Sequence, residues 1–161
     1  MTSDTGAIDA LQRLIGLMRS RPPLPEKERA QKQHEYFHRA FDQMVSSGKT
    51  YGEVTGSPGT AVTSMDYDEF RRHLRSIDND LATHVGIVAE GVHHYFEHGE
   101  IPAPYYAWRI AVILRKANLV TLEADFLEAF NKICAGRPGG RYSDLVDREG
   151  KARKRAATQK G

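Results

Sequence analysis

Two histidines one helical turn apart, His34 and His38, bracket Glu35 in the string His-Glu-Tyr-Phe-His. Residues four apart share a helix face, so two such imidazoles can meet one divalent cation while the carboxylate takes a proton from metal-bound water. A second spacing, Glu-x-x-His, pairs Glu35 with His38 and Glu90 with His93. On separate helices of a bundle that spacing can hold two metal ions between inward-pointing side chains. His84, His93, His94 and His98 crowd one stretch of chain, where imidazoles can change charge near neutral pH. The single cysteine, Cys134, excludes an internal disulfide and has no patterned histidine nearby. The glycines at 139 and 140 form no phosphate loop, and the stretch from Gly56 to Gly59 lacks the Lys and Ser or Thr that would complete one.

The elements that must position these groups are helices. Apolar residues recur at helical spacing almost throughout and no stretch alternates cleanly, which predicts an all-α fold. A first helix over about 8–19 places Ile8, Leu11, Leu14, Ile15 and Met18 on one face and ends at Pro22 and Pro23. A second runs from near Pro25 to Ser46, with Phe37, Ala40, Phe41, Met44 and Val45 as its buried stripe, and Gly48 stops it. Residues 49–65, rich in Gly and Pro, read as a loop or hinge with at most one helical turn. Asp66 and Glu69 have capping-box spacing and open a helix carrying Tyr67, Phe70, Leu74 and Ile77. Good caps at Asp78 and Asn79 predict a break before a helix facing inward with Leu81, Val85, Val88, Val92 and Tyr95. Gly99, Pro102 and Pro104 separate that helix from the next. The run Ile110, Ala111, Val112, Ile113, Leu114 is apolar on every side and predicts a central helix. Thr121 caps a last strong helix facing inward with Leu122, Phe126, Leu127, Phe130 and Ile133. The resulting organisation is an N-terminal helical pair (1–48), a hinge (49–65), a helical core (66–136) and a flexible basic tail (137–161).

Placing the ligand candidates on those helices removes most of their chemistry. The His-Glu-x-x-His string resembles that of zinc peptidases, which implies His34 and His38 as ligands and Glu35 as base. Here Lys32 and Arg39 flank it, no strand precedes it, and Glu35 points well away from the Phe37 and Phe41 stripe that His34 and His38 border. With Val85, Val88, Val92 and Tyr95 inward, Glu90 falls nearly opposite them and cannot share an internal metal. The sequence therefore assigns no catalytic residue, no metal and no cofactor.

Two other stretches resemble binding folds. The spacing Ala107, Ile110, Ala111, Leu114, a short connection at Asn118 and a second helix resemble a tetratricopeptide helix pair, whose repeat is about 34 residues. Leu114 stands where that family has an aromatic and Glu123 where it has Ala. Only one unit is visible, so the other helices must cap it. The resemblance implies protein binding through a helical face, with Tyr105, Tyr106, Trp108 and Arg109 as anchors, because aromatics and Arg bury much area with few rotors. The stretch from Phe41 to Ile77 resembles the helix-turn-helix of small plasmid-transfer DNA-binding proteins, carried by Gly48, Val54, Tyr67, Phe70, Arg71, Arg72 and His73. It implies that Arg71, Arg72 and Arg75 touch phosphates or guanine edges.

Composition fits either role. A chain of 161 residues with 40% apolar content suits one domain or two small ones. The net charge of +2 is too small to imply nucleic acid by itself. The basic end, including Lys151, Arg153, Lys154 and Arg155, can assist phosphate binding or simply remain solvated. No stretch reads as a signal peptide or membrane span, so the expected setting is a reducing cytoplasm. The leading expectation is a non-catalytic helical protein-interaction module of open oligomeric state. The alternative is a DNA-binding accessory protein.

Overall fold

A computed structural model describes residues 2–56, 66–134 and 136–160. Among them are eight helices and no strand: α1 (Thr2–Ser20), α2 (Glu26–Ser47), α3 (Tyr51–Thr55), α4 (Tyr67–Ser76), α5 (Leu81–His98), α6 (Pro104–Lys116), α7 (Val120–Cys134) and α8 (Gly140–Lys160). The all-α expectation holds. The chain divides into two units, one of residues 1–23, 79–89 and 102–161, the other of residues 24–78 and 90–101. This division interleaves the segments that the sequence pattern places end to end. Among the described residues no helix is long and apolar enough to cross a membrane.

The first unit is built around α7. Phe126, Leu127, Phe130, Ile133 and Cys134 are buried there, and α1, α6 and α8 all pack against this helix. The centre is thus α7 rather than α6, although Ala107, Ile110, Ala111 and Leu114 of α6 are buried too. Helix α1 buries Leu11, Leu14, Ile15 and Met18 as its spacing predicts. Its last carbonyls would lack partners at a helix end, and the Lys132 ammonium of α7 donates to those of Met18 and Arg19 at 3.3 and 3.5 Å and to that of Arg21, just past the helix, at 3.2 Å. Helices α6 and α7 pack against each other on either side of Asn118, which adopts a left-handed conformation (φ 59°) that Asn tolerates better than most residues. Thr121 lies inside the first turn of α7 and is not its cap.

The C-terminal stretch corrects the flexible-tail expectation. It is α8, whose Leu145, Ala152 and Ala156 are buried along one narrow stripe. The polar groups of α7 complete the contact: Asn131 Nδ2 donates to the Leu145 carbonyl and to Glu149 Oε1, both at 3.0 Å. Arg148 and Arg155 pair with the fully buried Glu123 at 3.0 and 3.5 Å. These basic residues are matched to an acid on another helix, a pairing that no local pattern reveals.

In the second unit, α2 packs through Tyr36 and Ala40. Its start is fixed to the end of α5, where the Leu24 N–H donates to the Tyr95 hydroxyl at 2.7 Å and Arg29 donates to the Gly99 carbonyl at 3.0 Å. Gly99 ends α5 at φ 74°, and a Cβ there would fall 2.2 Å from the Arg29 carbonyl oxygen, so only glycine fits. Helix α2 ends as expected at Gly48, whose N–H closes on Met44. Asp66 caps α4 by accepting from the Glu69 N–H at 2.8 Å. The break before α5 also occurs, with Asp80 as its cap: the carboxylate accepts the Thr83 N–H at 3.1 Å and the Thr83 hydroxyl at 2.7 Å. Residues 57–65, most of the expected hinge, lie outside the described residues.

One expectation for α2 is overturned. Phe37, Phe41 and Val45 do not face inward but are 56%, 52% and 72% exposed, while Ala40 is buried and Met44 half-buried. The helix carries aromatic residues on two faces, and packing falls on the one bearing Tyr36 and Ala40. Spacing alone favoured the face with the larger apolar stripe.

Candidate interaction faces

The exposed face of α2 carries His34, Phe37, His38, Phe41 and Val45 on successive turns. The His34 and His38 rings stand edge to face with centroids 4.3 Å apart, and Phe37 lies 6.2 Å from the Tyr51 ring of α3. Glu35 is turned aside, accepting from Gln31 at 3.3 Å. Among the described residues no three His, Cys, Asp or Glu side chains are arranged to hold a metal ion. What this face offers is apolar area edged by imidazoles.

The opposite side of α2 borders a cleft of about 400 Å³ whose lining includes Tyr36, Arg39, Gln43, Thr55, His94 and His98. Tyr36 stacks on His98 at 3.9 Å between centroids, and His94 stands edge-on to both rings. His94 Nδ1 lies 3.4 Å from a Glu100 carboxylate oxygen, off the line of a hydrogen bond. Burial, then the neighbouring His94, holds the His98 imidazole below its ordinary range, with Arg39 adding to this and Glu97 and Glu100 opposing it. Burial likewise raises the Tyr36 hydroxyl, opposed by Thr55 beside it. His84 does not join this cluster. It is buried in the first unit, with Nδ1 2.8 Å from the Asp80 carbonyl at the start of its own helix, and it serves the fold.

The anchors expected at the start of α6 are only partly presented. Tyr105, Tyr106 and Trp108 are half-buried, with Tyr105 5.4 Å from Tyr106 and 6.3 Å from Trp108. The Arg141 guanidinium covers the Trp108 ring at 4.7 Å, and the Tyr142 hydroxyl donates to the Pro102 carbonyl at 2.8 Å, so the first turn of α8 lies over this patch. Arg109 is 7% exposed and sits 5.7 Å from the Trp108 ring, which corrects its expected role as a presented anchor.

The basic residues fall into two groups. On α4, Arg71, Arg72 and Arg75 are exposed and form no ion pair among the described residues, and Arg71 lies 5.5 Å from the exposed ring of Tyr67. On α8, Arg153 pairs with Glu128 and Glu149 at 2.6 and 2.7 Å and Arg155 with Glu123 at 3.5 Å. Lys151 and Lys154 are exposed beside them, with no ion pair among the described residues. Sequence reasoning names every residue of the α2 stripe but places it inside. Ala40 is buried as the spacing predicts, and the signal for the packed side is Tyr36, which with Ala40 turns that side away from Phe37, Phe41 and Val45. Compared with known proteins, the chain matches no family model, no curated protein and no solved structure.

Proposed function

We propose that the chain is a non-catalytic helical protein-interaction module, and that its contact face is the Phe37, Phe41, Val45 stripe of α2. The observation that carries this reading is the exposure of three large apolar side chains on consecutive turns of one helix. Contiguous apolar surface of this kind marks contact sites, because leaving it in water forfeits the stabilisation that burial supplies. The resemblance of the α6 and α7 hairpin to a tetratricopeptide pair points to the same class of work. The cover of Arg141 over Trp108 argues for α2 rather than the start of α6. In a proximity-labelling capture, changing Phe37, Phe41 and Val45 to Ser removes the captured proteins while helicity by circular dichroism persists. Unchanged capture overturns this face, and the corresponding change of Tyr105, Tyr106 and Trp108 then tests the other.

A second reading, DNA binding through α4, is favoured by the three exposed arginines Arg71, Arg72 and Arg75, which have no ion pair among the described residues, Arg71 lying beside the Tyr67 ring. Removing a cation that neutralises a phosphate lowers both the affinity and its dependence on salt. A mobility-shift titration at low and moderate salt with Arg71, Arg72 and Arg75 all changed to Ala decides it. No shift at low salt, or a shift unchanged in the variant, excludes this reading.

A further inference from the structure

With the proposed contact face as its basis, the occupant follows from the symmetry of the stripe. We propose that a second copy of this chain seats on the stripe, with the two α2 helices antiparallel about a two-fold axis passing beside Phe41. In such a pair the residue n positions before Phe41 on one helix faces the residue n positions after it on the other. The stripe is self-complementary about that point. Phe41 meets the partner subunit's Phe41, and Phe37 meets the partner subunit's Val45, so every large exposed apolar side chain of α2 is covered by another.

The polar flank of the stripe agrees with the same axis. At 100° per residue His38 and Asp42 lie on one flank of the stripe, and a two-fold perpendicular to the helices keeps that flank on the same side in both copies. His38 stands ~4.5 Å to one side of the axis and the partner subunit's Asp42 ~1.5 Å to that same side, so the two face each other with an offset of roughly 3 Å along the helices. Neither has an ion-pair partner among the described residues of its own chain. The symmetry makes this contact twice. From His34 to Val45 the contact runs ~17 Å, a short helix pair by the standard of stable interfaces, so association is weak and concentration-dependent.

Sedimentation velocity on the full chain, from about 10 to about 500 µM, reads this directly. The expected result is a rise in sedimentation coefficient toward a dimer across that range, and at least a tenfold weaker association in Phe41→Glu at unchanged helicity. Register is read by cross-linking. Under mild oxidation Phe41→Cys gives a disulfide-linked dimer, whereas Phe37→Cys and Val45→Cys link to each other when mixed and not to themselves. Asp42→Lys weakens association, and adding His38→Asp restores it. A monomer throughout the range overturns the proposal, as does a dimer indifferent to Phe41→Glu or one in which Phe37→Cys links to itself. A monomeric chain that still loses its captured proteins with the stripe overturns self-association while the contact face stands, assigned to a different partner.

Discussion

Glu123 of α7 is fully buried and receives Arg148 of α8 at 3.0 Å, with Arg155, two turns further along α8, converging on the same carboxylate at 3.5 Å. A carboxylate removed from water in this way persists only because it is paired. Glu123→Ala leaves two guanidiniums facing apolar α7 without their counter-charge. The expected cost is about 3 kcal/mol, at the lower end of the range for broken buried pairs because both arginines can still reach solvent. Urea unfolding of the variant checks it, and loss of α8 protection in hydrogen exchange is expected to precede loss of α7.

Gly99 and Gly48 share a left-handed conformation but differ in their surroundings. A Cβ on Gly99 collides with the Arg29 carbonyl, whereas one on Gly48 meets nothing within 4 Å. Gly48→Ala therefore carries only the conformational penalty, about 1 kcal/mol, and Gly99→Ala adds displacement of backbone for a total of roughly 3 kcal/mol. Chemical unfolding of the two variants side by side separates the terms.

The depressed His98 imidazole makes the second unit sensitive to acid. Its folded pKa lies below the unfolded value, so the unfolded chain binds the proton more readily. The contribution is fully present above the unfolded value of about 6.5 and is lost as pH falls through the folded one. Melting temperature is expected to decline below about pH 6.5, and His98→Gln to flatten that decline. An equally steep profile in the variant would assign the effect to another group.

Lys132 holds the end of α1 through carbonyl contacts rather than through a carboxylate. Lys132→Met keeps the aliphatic stem and removes the donors. A loss of about 1 kcal/mol is expected, with faster amide exchange in the last turn of α1 as its signature.

The parts of this fold legible in sequence are those set by neighbours along the chain. The inward face of α1, the Gly48 stop, the Asp66 cap and the break before α5 depend on spacing or on residues within one turn. What escaped depends on distant partners. The α8 arginines look solvated until Glu123, Glu128 and Asn131 of α7 are placed against that helix. Choosing between the two faces of α2 required knowing that Leu24 and Arg29 are tied to Tyr95 and Gly99, about seventy residues away in sequence. The candidate site was correspondingly half legible: the residues of the stripe could be named, and their direction could not.

Burial raises the Cys134 thiol to about 12, so almost none of it is the reactive thiolate at neutral pH while α7 is packed. Because this is the chain's single cysteine, any thiol that reacts with a disulfide reagent reports one location. The rate of that reaction is a clock for the opening of the helices around α7, readable in wild-type protein without any introduced probe. The same reticence keeps the thiol silent in cross-linking at α2, where a cysteine placed at position 41 would answer alone.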